Sequence, residues 1–157
     1  MNDHIEKLIK HFNLLEHPEG GYYTEVYRSP IDIPGRDRQL MTSIYFLLRS
    51  QDVSHFHRIK SDELWFFHSG SPLIVHTLDS EGHKEHLLGM DMEKGQAPQV
   101  LVKAETIFGS TVSDPDSYSL VSCAVAPGFD FRDFELFKTN ELLEAYPDEE
   151  EIIRRLT

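Results

Sequence analysis

His55-Phe56-His57-Arg58-Ile59-Lys60-Ser61-Asp62-Glu63-Leu64-Trp65-Phe66-Phe67-His68-Ser69-Gly70 is the stretch on which the reading of this 157-residue chain turns. Two runs rich in aromatic residues flank the polar turn Lys60-Ser61-Asp62, and they predict two strands, Val53–His57 and Glu63–His68. Side chains two apart on a strand share a face, so His55 and His57 point the same way. Glu63 opens the next strand and can return beside them. Two imidazoles and a carboxylate in one interior suit Fe, Mn, Ni or Zn, and they equally suit acid–base chemistry without a metal. If Glu63 faces inward, so do Trp65 and Phe67, while Leu64, Phe66 and His68 face the other side.

Further strands are expected on both sides of this stretch. They are Tyr22–Arg28, Thr42–Leu48, Leu73–Leu78, His83–Gly89, Gln99–Val102, Thr106–Val112 and Tyr118–Val125, separated by breaks rich in Gly, Pro, Asp and Ser. Short strands at regular spacing predict a sandwich or barrel. In the strand from Thr42, either Thr42, Ile44 and Phe46 or Ser43, Tyr45 and Leu47 line the interior. At the N-terminus, Ile5, Leu8, Ile9 and Phe12 recur at helical spacing over 3–14, and His17-Pro18-Glu19-Gly20-Gly21 stops the helix. A second helical stretch covers 140–156 and is interrupted at Tyr146-Pro147-Asp148, where Asp148 can cap a final turn. No boundary divides the chain, so 1–157 reads as one domain with a barrel over about 20–137.

Fifteen Lys and Arg against 27 Asp and Glu give a net charge of −12. That surface repels phosphate backbones and anionic headgroups, so neither nucleic acid nor a membrane is expected as a partner. No apolar run approaches the ~20 residues of a membrane span, and the polar start lacks the apolar core of a signal peptide. A cytoplasmic location is expected. Cys123, the only cysteine, sits in an apolar run and reads as a small buried hydrophobe. Gly20-Gly21 lacks the Lys-Ser/Thr of a phosphate loop, and no Gly-x-Ser-x-Gly elbow is present.

The pair His55-x-His57, then Glu63, then six residues and Gly70, resembles the first motif of the cupin superfamily. The superfamily's second motif, Pro-x-Gly-x-x-His, falls on Lys103-Ala104-Glu105-Thr106-Ile107-Phe108. Lys103 and Glu105 stand for its Pro and Gly, and Phe108 stands for its ligand His. Four segments sharpen the resemblance to the uncharacterised cupin-5 domain proteins: His17-Pro18-Glu19-Gly20-Gly21-Tyr22-Tyr23, Tyr27-Arg28-Ser29, His57 to Trp65, and Ala126-Pro127-Gly128-Phe129-Asp130-Phe131-Arg132-Asp133-Phe134-Glu135-Leu136. The resemblance implies an all-β double-stranded β-helix, a jelly-roll barrel close to that of the sugar-nucleotide epimerases. It also implies short N- and C-terminal helices, a homodimer, and a small-molecule pocket inside the barrel.

Three functions compete. In the first, a carbohydrate-like or nucleotide-derived ligand is isomerised or epimerised, with His57 and Glu63 as acid–base pair and Tyr45 as opposing acid. His55, Trp65, Phe67 and Phe108 would complete the pocket. In the second, His55, His57 and Glu63 hold a divalent metal ion for dioxygenase-like chemistry. The third is a binding module without turnover. Six further histidines, His4, His11, His17, His76, His83 and His86, read as surface or as satisfied core groups. Asp130, Asp133 and Glu135 read as the solvated face of a strand anchored by Phe129, Phe131 and Phe134, with Arg28 as partner to one of these acids.

Overall fold

The computed structural model describes residues 2–157. Helix α1 (Asn2–His11) leads into eleven strands: β1 (Leu15–Glu16), β2 (Tyr22–Arg28), β3 (Thr42–Arg49), β4 (Val53–Arg58), β5 (Asp62–Gly70), β6 (Leu73–Asp79), β7 (Gly82–Leu88), β8 (Gln99–Val102), β9 (Ile107–Val112), β10 (Tyr118–Ala126) and β11 (Glu135–Leu136). Helices α2 (Thr139–Ala145) and α3 (Glu150–Arg155) close the chain. The strands form two antiparallel sheets, ordered β1-β2-β3-β10-β5-β8 and β11-β4-β9-β6-β7. Together they make a jelly-roll barrel with short helices at both termini. No helix among the described residues is long and apolar enough to cross a membrane.

Burial on both faces explains why several strands are apolar almost throughout. Between the sheets lies the main core, with Phe46, Leu48, Trp65, Leu73, Val75 and Phe108 among its members. Outside the first sheet, Leu47 and Leu120 meet Ile5 of α1, with Leu8, Ile9, Phe12 and Tyr45 packed alongside. Outside the second sheet, Phe56, Leu78 and Ile107 meet Leu142, Ile152, Ile153 and Leu156 of the C-terminal segment. The choice left open for β3 is settled by α1. The helix needs an apolar bed for its stripe, and Tyr45 and Leu47 provide it. Phe46 and Leu48 therefore enter the barrel, with Ile44 packed against the same core.

Two local expectations are corrected. The expected strand through Phe129–Glu135 is a 3-10 turn at Phe131–Asp133 followed by the two-residue β11. Asp130 caps that turn by accepting the backbone N–H of Arg132 at 2.9 Å. At the other end, Glu149 rather than Asp148 precedes α3 and makes no side-chain cap. Its carboxylate instead accepts the backbone N–H of His83 at 3.1 Å, tying the C-terminal segment to the β6–β7 hairpin.

Candidate functional site

The site begins in the segment that stops α1. Gly20 has a φ of +106° and Gly21 a φ of +77°, in the left-handed region that favours glycine. The turn they allow is closed by Gly20 N–H donating to His17 O and by His17 N–H donating to Gly21 O, both at 2.9 Å. It presses the Glu19 carbonyl onto β4, where that oxygen accepts the backbone N–H of His55 at 2.6 Å and the His55 Nδ1–H at 2.7 Å. A Cβ on Gly20 would lie 2.1 Å from Val53 O, so only glycine allows this approach. With its backbone fixed in this way, Glu19 buries its carboxylate inside the barrel.

Strand β4 supplies the histidine. It pairs Ser54 with Ser110 but His57 with Phe108, so one extra residue sits between them as a β-bulge. The bulge breaks the alternation, and His55 and His57 do not share a face. His57 enters the cavity between Phe108 and Phe134, at ring-centroid distances of 4.1 and 5.3 Å. Its Nδ1–H donates to the His55 carbonyl at 2.7 Å, and its Nε2 lies 2.7 Å from Glu19 Oε2. Burial opposes charge on both partners. The Glu19–His57 attraction outweighs it, holding Glu19 below the ordinary carboxylate value and His57 above the ordinary imidazole value. The attraction favours the ion-paired form, and both nitrogens of His57 are already engaged.

Glu63 behaves in the opposite way. Burial, followed by the negative charge of Glu19, pushes its carboxyl up to about 8, against the pull of His57. At neutral pH it is a carboxylic acid. The indole N–H of Trp65 also favours its charged form, yet completes no hydrogen bond. Register places Glu63, Val125 and Thr42 side by side at one end of β5, β10 and β3. There the barrel opens into a cavity of about 560 Å³. Glu19, His57, Glu63 and Cys123 line it, the aromatic wall is Tyr23, Phe129, Phe131 and Phe134, and Thr24, Glu25, Arg28 and Asp130 add polar groups. Burial and the neighbouring carboxyls push the Cys123 thiol well above its ordinary value, so it stays neutral.

Of the residues expected at the site, His57 and Glu63 line this cavity together. Tyr45 does not. It lies on the opposite face of β3, packed against Phe12 at 4.9 Å. Trp65, Phe67 and Phe108 do face the barrel interior, but they fill its core instead of lining the open end. His55 braces the Glu19 turn from outside the cavity.

The expected metal set does not fit. His55 is committed to the Glu19 carbonyl, His57 has donors on both nitrogens, and Phe108 offers no donor. Among the described residues, the one group of His, Cys, Asp and Glu donors that converges within 4.8 Å lies elsewhere, at His76, His83 and Glu85. Arg28 also departs from expectation. It binds Glu25 at 2.8 Å, while Asp130, Asp133 and Glu135 pair with Arg132, Arg38 and Arg58.

Sequence reasoning missed Glu19 and His17. His17 packs against Tyr23 at 4.5 Å and lines the cavity, and burial holds it below its ordinary value. The signal was present in His17-Pro18-Glu19-Gly20-Gly21. A plain helix stop needs neither paired glycines nor a carboxylate beside them.

Residues 6–137 match the family described as Cupin superfamily (DUF985). A solved protein of Shewanella oneidensis, SO0799, is 44% identical, with a TM-score of 0.92 over 97% of this chain and 96% of that one. A hypothetical protein from Leishmania major is 40% identical, with a TM-score of 0.90 over 97% of each chain. The uncharacterized protein YML079W of Saccharomyces cerevisiae is 26% identical, over 88% of this chain and 78% of that one.

Proposed function

Because the chain belongs to the Cupin superfamily (DUF985) family, whose fold surrounds a cavity of small-molecule size, we propose that it binds a neutral, hydroxyl-rich organic molecule of carbohydrate type and moves a proton on it. This is the chemistry of an isomerase or epimerase. The observation that carries the reading is two buried carboxyl groups lining one cavity in unlike surroundings. Glu19 lies against His57 Nε2 at 2.7 Å and Glu63 has no ion-pair partner among the described residues, which drives their proton affinities apart. Groups driven apart in this way divide into base and acid. The volume of about 560 Å³ suits a small ligand. Aromatic walls suit the apolar face of a sugar ring, and the polar groups suit its hydroxyls. Arg28 is the only Lys or Arg on the lining and is already paired with Glu25, while Glu19, Glu25 and Asp130 are acidic. A phosphorylated ligand is disfavoured on that account, so of the nucleotide-derived ligands an uncharged nucleoside fits better.

The roles differ from a simple histidine base. His57 already donates from both ring nitrogens and keeps Glu19 ionised. Glu19 Oε2 is engaged with His57, which leaves Oε1 to take a proton from a carbon beside a carbonyl. Glu63 gives its proton to the carbonyl oxygen, forming an enol. Returning the protons to a different atom or face completes the isomerisation.

The test is solvent exchange. The protein is incubated in D2O with a panel of aldoses, ketoses and uncharged nucleosides, and C–H signals are followed by NMR. Exchange should be catalysed by the native chain and fall at least about a hundredfold in Glu19→Gln and in Glu63→Gln. Exchange that persists in both variants overturns the assigned roles. Saturable binding without exchange leaves a binding module.

A further inference from the structure

A second cluster lies outside the barrel, on the β6–β7 hairpin. His76 pairs across the hairpin with Glu85, and His83 stands two residues before Glu85 on β7, so the three side chains share one face. His76 Nδ1 is 2.9 Å from His83 Nε2, and Glu85 Oε1 is 3.9 Å from His76 Nδ1. The two imidazoles are nearly parallel, 20° apart with centroids at 5.1 Å. The cluster opens into a separate cavity of about 300 Å³ between the hairpin and the C-terminal segment.

We propose that His76, His83 and Glu85 form a binding site for a divalent transition ion of the zinc class. Two ring nitrogens 2.9 Å apart have room for only one proton between them, and a cation can take its place. Nitrogens on a tetrahedral zinc ion at about 2.0–2.1 Å sit about 3.3 Å apart, so the rings need to open by only a few tenths of an ångström. His76 Nε2 lies 2.8 Å from the buried Thr111 Oγ1. With an ion on Nδ1, that nitrogen carries the hydrogen and donates to the hydroxyl, the usual outer support of a ligating histidine. Burial falls from His76 through His83 to Glu85, so the base is rigid and the mouth admits an ion from solvent. Asp148, Glu149 and Glu151 line the same cavity and favour a cation, while Arg155 opposes it. Because Glu149 also accepts the His83 backbone N–H, an ion here braces the seam between hairpin and C-terminal segment.

Untagged full-length protein is titrated with Zn2+ by calorimetry, and its histidine signals are followed by NMR. One ion should bind per chain, shifting the His76 and His83 ring signals and leaving those of His57 in place. His83→Ala and the exposed Glu85→Gln, neither of which removes a core side chain, should each weaken binding at least about tenfold. The site is wrong if the native chain binds no stoichiometric ion, if both variants bind as before, or if Glu63→Gln abolishes binding. The last outcome would place the ion in the barrel.

Discussion

Two carboxyl groups of one residue type lie in the same cavity with proton affinities shifted in opposite directions, and the difference comes from what each touches. Glu19 meets the His57 ring at 2.7 Å, while Glu63 meets burial and the charge of Glu19. Stability depends on pH as a result. In the unfolded chain Glu63 ionises near its ordinary value of 4.5, but in the fold only at about 8. Between those values the unfolded state releases a proton that the native state keeps, so native stability falls as pH rises. Glu63→Gln, which mimics the neutral acid, should match the native chain below about pH 4.5. It should become more stable by on the order of 2 kcal/mol or more at pH 8, because each tenfold change in proton affinity is worth ~1.4 kcal/mol. Denaturant titrations of both proteins across this range check the sign. At this scale the sequence was half legible. His57 and Glu63 could be found because motif spacing brings them together along the chain. For Glu19 the glycine turn marks a special position, but not its partner, because that turn carries it to β4 from far upstream. Ionic states were beyond reach, since they depend on burial that spacing does not encode.

Elements were more legible than residues. Strand β8 and the tract Tyr22–Arg28 fall where alternation and turn residues put them. The failures are irregularities. The β4 bulge turns His55 away from His57, and nothing in Val53-Ser54-His55-Phe56-His57 announces an extra residue. The segment Phe129–Phe134 reads as a strand by composition, yet its aromatic side chains are drawn to the open mouth of the barrel and fold the backbone into a turn. Another irregularity has a visible mark. Glu105, which stands where the cupin pattern has glycine, has a φ of +66°. Its N–H donates to Ile59 O at 2.9 Å, which holds the loop before β9 in place. A side chain in this region costs about 1 kcal/mol relative to glycine. Glu105→Gly should therefore raise the midpoint of thermal unfolding by a few degrees, and differential scanning calorimetry reads it directly.

For the molecule as a whole, layering was legible in outline. Apolar strands and an amphipathic helix imply covered sheet faces, but which face each helix covers depends on packing that only the assembled fold defines. The edge of the first sheet at β2 remains open. Among the described residues, β1 pairs only with Tyr22 and Tyr23, so the outer edge of Thr24–Arg28 carries no strand. Val26 and Tyr27, about half exposed, and the more exposed Leu15 mark that region. Such an edge favours association, and we expect a second copy of the chain to occupy it. Sedimentation velocity should then give twice 18.2 kDa, and Val26→Lys should shift the population to single chains. A native chain that sediments as a monomer at high concentration would remove the dimer.

Strand order also bears on how the protein is made. β10 lies between β3 and β5, and the Phe56 N–H beside His57 donates to Leu156 O, just past α3. A ribosome releases residues in order, so the nascent polypeptide carries β3, β4 and β5 into the cell before the pieces that hold them together exist. Until β10 and the α2–α3 segment follow, those strands have unpaired edges and bare apolar faces. The barrel can close only once β10 and the α2–α3 segment have emerged, and in that interval the growing chain depends most on chaperones.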